Sequence, residues 1–247
     1  MASVLITGAN RGIGLEFVRQ LAGKTDGNWK HIFAGCRSPD KAESLKKLAI
    51  SHPTVRVVEL DISNDATLEA AMEQVSSVVG QHGLNVLINN AGIYNTEPLE
   101  KVDREMLQNF FNINATSPLI VTQKFLPLLK QGAAQSKVPG FSLHRGAILN
   151  VTTGYASLEG NTSGGIYAYR ASKAALNMMT KSLSVDLQHD RILAVALDPG
   201  WVQTDMGGSY APLTVEDCVS RLLKVMESLT EMQNGRVVSL KGKIVPF

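Results

Sequence analysis

With 247 residues, 44% of them hydrophobic, the chain is long enough for one large core and too short for two generous ones. A formal charge of +2 leaves no basic surface for nucleic acid. Two cysteines, Cys36 and Cys218, and five scattered histidines give neither a disulfide framework nor metal-ligand spacing, so no metal is expected.

The opening "MASVLITGAN" has no basic leader and no cleavage site, and no apolar run reaches the roughly 20 residues of a membrane span. A cytoplasmic protein without a membrane partner is expected. "VLI" (4–6) reads as a first strand, then Ile13, Phe17, Val18, Leu21 and Ala22 recur at helical spacing. "HIFAGC" (31–36) and "VRVVELD" (55–61) read as the second and third strands. Leu68, Ala71, Met72, Val75 and Val79 make one helical face, "NVLINNAG" (85–92) a fourth strand, and 103–130 one long helix. A polar connection, 131–145, precedes a fifth strand, "GAILNV" (146–151), and a helix that begins near Tyr167 and Tyr169. "RILAVALDPG" (191–200) and "GRVVSL" (235–240) complete the strands. A glycine-rich loop, 206–213, has the position of a lid, and "TVED" after it reads as a capping box. Continuous apolar strands are buried on both faces. Their alternation with helices predicts a single-domain, doubly wound α/β fold over 1–247: a parallel, Rossmann-type sheet with helices on both faces.

"TGANRGIG" puts Gly8, Gly12 and Gly14 between the first strand and the first helix. Glycines there let the backbone turn tightly and approach a pyrophosphate at the helix N-terminus. An acid at the end of the second strand would bind the ribose hydroxyls of NAD. The residues there are Cys36 and Arg37, and Arg11 lies in the glycine turn. Two guanidiniums and no acid favour the 2′-phosphate of NADPH.

Tyr169 and Lys173 are four residues apart, about 40° around a helix, so they share a face. Tyr167, six residues from Lys173, lies roughly 120° off it. A phenol ionises near 10. An adjacent ammonium is expected to lower that value and make Tyr169 a usable proton donor.

The segments "TGANRGIG", "ELDISN", "NNAG", "NINATS", "NVTT", "YRASK" and "PGWVQT" stand in the order of the short-chain dehydrogenase/reductases, which the chain resembles from end to end. "GNTSGGIYAYRASKAALN" and "PGWVQTDMGG" are similar to the sniffer and C-factor-like carbonyl reductases within it. The resemblance implies catalytic roles for Asn114, Thr153, Tyr169 and Lys173, with Asn114 serving a proton-relay water. It implies cofactor contacts from Gly8, Asn10, Arg11, Gly12, Ile13, Gly14, Arg37, Asp61, Ile62, Asn90, Ala91, Gly92, Tyr169, Lys173, Pro199, Gly200, Val202 and Thr204. Ile93, Tyr94 and Trp201, adjoining these motifs, would face the substrate with Thr153. Family members are often dimers or tetramers, so a homo-oligomer would fit.

Thr153 stands where the family usually has serine, 16 residues before Tyr169, a longer spacing than is common. Ser157 is the competing hydroxyl; Thr153 is preferred because it directly follows the strand. The expected activity is NADPH-dependent reduction of a ketone, quinone or aldehyde with Tyr169 as general acid. The alternatives are oxidation of a secondary alcohol such as a steroid, or NADPH sensing without turnover.

Overall fold

The computed structural model describes residues 2–24 and 28–247. In chain order the elements are β1 (Ala2–Thr7), α1 (Gly12–Ala22), β2 (Trp29–Cys36), α2 (Glu43–Ser51), β3 (Val55–Glu59), α3 (Asp65–Val79) and β4 (Val86–Asn89). Then follow α4 (Arg104–Phe111), α5 (Ser117–Gln135), β5 (Ala147–Val151), α6 (Tyr167–Asp186), β6 (Leu193–Asp198), α7 (Val215–Glu227), β7 (Val237–Ser239) and β8 (Ile244–Val245). The strands form one eight-stranded sheet in the order β3-β2-β1-β4-β5-β6-β7-β8. It is parallel except for the antiparallel pair β7–β8. This is the doubly wound fold that the alternation predicts.

Period-two alternation divides the core. Val4 and Ile6 point to the face covered by α1, α2 and α7, where Phe17, Leu45 and Leu222 pack. Leu5 points to the other, among Leu68 of α3 and Phe125 of α5. The chain winds outward in opposite directions from β1 and β4, so a crevice opens where their C-terminal ends diverge.

Four details depart from the sequence-based reading. The expected helix 103–130 is broken by a π turn at Asn112–Thr116. Pro118 has no N–H to offer the Asn114 carbonyl, and the Ser117 N–H bonds to Asn112 O, five residues back. The start of the polar connection, 131–135, is helical, and the Arg145 guanidinium closes the end of α5 on Ala133 O at 2.9 Å. Helix α2 and strand β8 are additional; α2 buries only Leu45, too narrow a stripe to announce itself. At "TVED", Thr214 Oγ1 accepts the Asp217 N–H at 3.1 Å, one arm of a capping box. The reciprocal box forms at Thr230 and Gln233 instead.

Gly132 crosses the chain before β4 so closely that a Cβ there would lie 2.3 Å from Leu84 O. Gly132→Ala gains about 1 kcal/mol of helix propensity. It must still push backbone from backbone, an overpacking cost of about 1–3 kcal/mol and above where neither strand nor helix can yield. The expected outcome is a lower urea midpoint with an unchanged m-value.

Candidate active site

The glycine turn is a fitted cradle. A Cβ on Gly14 would lie 2.3 Å from Gly8 O and 2.6 Å from Asn90 Nδ2, and Gly8 itself has φ +63°. Asn90 Nδ2 donates to Thr7 O at 3.0 Å and Gly8 O at 3.2 Å. In return Thr7 Oγ1 accepts the N–H of Asn90 at 3.0 Å and of Ala91 at 3.1 Å. Thus "NNAG" braces the turn from β4. Helix α1 begins at Arg11 without a side-chain cap and without an acid in its first turn. Its first N–H groups and the positive end of its dipole therefore face the crevice, and the cradle fits a pyrophosphate. Asn10 is exposed beside it, and Ile13 packs on the core.

At the end of β2, Cys36 is buried, and burial pushes its thiol up, so no anion stands there. Arg37 is exposed. Arg11, exposed in the glycine turn, pairs with Asp205, in the loop after β6, at 2.7 Å. Asp61 Oδ1 accepts the Ser63 N–H at 3.0 Å and hydroxyl at 2.7 Å, which leaves that carboxylate turned to its own loop. Ile62 is buried after it.

Helix α6 decides between the two tyrosines: Tyr167 is exposed, whereas Tyr169 and Lys173 are buried on one face. Thr153, just past the end of β5, has its side chain near enough to the Tyr169 phenol to favour the ionised form. Its Oγ1 also accepts the Tyr155 N–H at 3.2 Å. The rival Ser157 is spent on its own loop, accepting the Gly160 N–H at 3.0 Å. Tyr94 meets the Tyr169 ring edge-on, with centroids 4.9 Å apart. Ile93, Phe110, Met106 and Ile166 complete that apolar cluster.

The electrostatics correct one expectation. Burial raises the Tyr169 phenol to about 12; the Thr153 hydrogen bond lowers it, and Asp198 raises it further. Lys173 contributes no opposing pull. Its Nζ donates to Val151 O at 2.7 Å, and burial lowers it to about 8. The ammonium is anchored to the strand, beside Gly92, where a Cβ would stand 3.5 Å from Nζ.

Asn114 lies in the π turn, fully buried. Its Oδ1 accepts the Ile93 N–H at 2.9 Å, and its Nδ2 donates to Ile93 O at 3.0 Å and Ser172 Oγ at 3.1 Å. The Asn114 side chain is thus bonded to both backbone groups of Ile93 and to α6. After β6, Pro199 is buried, and Gly200 turns with φ +72°. Val202 bridges to Leu213, and Thr204 Oγ1 accepts the Gly207 N–H at 3.0 Å. Trp201 is half exposed and its Nε1–H donates to Gly207 O at 2.7 Å, so the expected lid is tied back to the strand's end.

Two groups escaped the sequence reading. Arg170, next to Tyr169, is buried without a carboxylate among its hydrogen-bond partners. Its guanidinium donates to Gly165 O, Tyr155 O, Ser163 Oγ and Gly164 O and lies 4.6 Å from the centre of the Tyr155 ring. Gly164, Gly165 and Ile166 are three successive left-handed residues, and for β-branched Ile166 (φ +53°) that is a strained conformation. Beneath the site Asn89 Nδ2 donates to Asn150 Oδ1 at 2.8 Å, and Asn150 Nδ2 to Thr180 Oγ1 at 2.8 Å. Asparagine inside the apolar runs "VLIN" and "AILN" is the signal for that ladder, since buried amides must be paired.

A family model described as short chain dehydrogenase matches residues 2–212. The structure is similar to that of the carbonyl reductase Sniffer of D. melanogaster, with a TM-score of 0.97 and 40% identity over the whole of both chains. It is similar also to an NADPH-bound carbonyl reductase from chicken fatty liver, with a TM-score of 0.95 and 37% identity over 100% of this chain and 99% of that one. C-signal of Myxococcus xanthus is 43% identical over 165 residues, 66% of this chain and 93% of the relative. No helix among the described residues is long and apolar enough to cross a membrane. No group of three or more potential metal ligands occurs among them.

Lys173 gives a stability prediction. Its folded-state value, about 8, lies below the 10.5 of an ordinary lysine, so the native state holds fewer protons between these values and stability rises with pH across that window. At 1.36 kcal/mol per unit the whole change is about 3 kcal/mol. Relative to Lys173→Met, the unaltered protein is expected to gain stability by that order between neutral pH and pH ~10. Urea unfolding of both proteins at a series of pH values checks it.

Proposed function

The chain belongs to the short-chain dehydrogenase family, and from that premise we propose that residues 1–247 form one NADPH-dependent carbonyl reductase domain, reducing a ketone, quinone or aldehyde. One observation carries the reading: the Thr153 side chain acts on the buried Tyr169 phenol, which shares a face of α6 with buried Lys173, at the end of the sheet where the glycine cradle opens. Two hydroxyls converging from β5 and α6 are suited to meet one carbonyl oxygen.

Several features support NADPH. The uncapped N-terminus of α1 suits the pyrophosphate, and Cys36 with Arg37 replaces the acid that would repel a 2′-phosphate. The chicken fatty liver reductase, 37% identical, is NADPH bound. The bound nicotinamide supplies the hydride. Gly92, Pro199 and Thr204 would hold its ring, while Lys173 Nζ is the donor within reach of a ribose hydroxyl beside Gly92. Thr153 donates to the carbonyl oxygen, and Tyr169 transfers its phenolic proton as negative charge grows there. Burial keeps the phenol protonated, so it gives up its proton only as negative charge builds on the carbonyl oxygen. Asn114 acts through backbone, fixing the Ile93 peptide and so the wall formed by Ile93 and Tyr94.

Tyr169→Phe removes the proton donor and leaves the ring packed on Tyr94. The expected loss in kcat for quinone reduction is about 10²–10⁴-fold, with NADPH affinity unchanged by fluorescence titration. Thr153→Val is expected to reduce kcat/KM strongly in the same assay, whereas Ser157→Ala leaves it within a few-fold.

A further inference from the structure

One buried side chain gathers both ends of the loop that separates Thr153 from Tyr169. Near its start, Arg170 Nη1 donates to Tyr155 O at 3.2 Å. Near its end, Nε donates to Gly165 O at 3.1 Å, and Nη2 to Gly164 O at 3.1 Å and Ser163 Oγ at 2.7 Å. The guanidinium also faces the Tyr155 ring, so Tyr155 is held by its carbonyl and by its side chain. The residues between these anchors, 158–162, are exposed.

What this staple holds adjoins the reacting centre. The Tyr155 N–H donates to Thr153 Oγ1 at 3.2 Å, and the Ala156 N–H to Thr153 O at 3.1 Å, so Thr153 caps a short 3₁₀ turn at Gly154–Ala156. A hydroxyl has one proton to give and two lone pairs. With one lone pair taken by the Tyr155 N–H, the Thr153 side chain is fixed about χ1 and its proton is left for another acceptor.

We propose that Arg170 is a positioning residue that acts on Thr153 through the Tyr155 peptide: by stapling the ends of the loop it sets the direction in which the Thr153 hydroxyl presents its proton to the substrate carbonyl. The inference rests on the reading of Thr153 as a donor to that oxygen. The 16 residues from Thr153 to Tyr169 then cost little precision, because the surplus chain bulges out beyond the staple. Arginine suits the place. Its planar fork meets four acceptors from three nitrogens, whereas the donors of a lysine share one nitrogen and cannot span both ends of the loop.

The test is a double-mutant cycle on single-turnover reduction of a quinone by NADPH, in the unaltered protein, Arg170→Lys, Thr153→Val and the double variant. Arg170→Lys is expected to slow turnover about 10- to 100-fold with NADPH affinity unchanged. Once Thr153 is valine, the same change is expected to cost no more than about twofold, because the hydroxyl it positions is gone. No slowing, or an equal cost in both backgrounds, overturns the proposal: a loop held only for its own sake would be missed as much without the hydroxyl. If Thr153→Val alone keeps full activity, the underlying reading fails instead, so the two failures are separable. Ser163→Ala removes one arm of the staple and leaves the cation in place; it goes through the same cycle, with the same outcomes, if Arg170→Lys does not fold. A further check needs no turnover. In protein labelled with ¹⁵N-tyrosine, the Tyr155 amide, identified by its loss in Tyr155→Phe, is expected to exchange with solvent about tenfold faster in Arg170→Lys or Ser163→Ala. Unchanged exchange overturns the proposal as well.

Discussion

The polar side chains at the centre of this sheet are buried, and nearly all of their hydrogen-bonding atoms find partners, Asn89 Oδ1 being an exception. An unsatisfied buried amide or hydroxyl costs about 1–3 kcal/mol. The polar residues at the ends of β1, β4 and β5 therefore bond to one another and to α6. Asn90 and Thr7 lock the glycine turn, and Asn89 reaches Thr180 through Asn150. Lys173 closes on Val151 O. The cradle is rigid because its bracing side chains have nowhere else to bond.

That constraint also separates two kinds of polar residue around the reacting centre. Asn114 and Arg170 have their donors committed to backbone carbonyls and serine hydroxyls, and they hold walls. Arg170 is the more unusual: a buried cation solvated by carbonyls, a hydroxyl and an aromatic face, with the strained Ile166 at the end of the loop it holds. Thr153 and Tyr169 differ because each keeps a hydroxyl, a group that can turn its proton to a carbonyl oxygen.

The fold was legible because its signals are local: apolar runs, helical periods and glycine positions. Tyr169 and Lys173 were legible for the same reason, four residues apart on one helix. The electrostatics were not, since the state of a phenol depends on burial and on Asp198, 29 residues away and adjacent only in space. The sequence suggested an ammonium beside the tyrosine, and the fold turned that ammonium to a carbonyl. Arg11 shows the same limit: its place in the glycine turn was legible, but its ion pair with Asp205, distant in sequence, was not. The π turn had a partial signal in Pro118, which cannot complete the α-helical bond to Asn114.

That turn lets one rod face two ways. The π turn accommodates an extra residue between α4, which sets Phe110 against the Tyr169 cluster, and α5, which sets Val121 and Phe125 on the sheet. Each residue of an α-helix advances the face by about 100°. By spreading the rotation over one more residue, the turn lets both halves keep the faces they present, which an extra residue in a regular helix would swing by that angle. The added residue is spent inside the turn, where it brings buried Asn114 against the Ile93 backbone without turning either half of the rod away from what it covers.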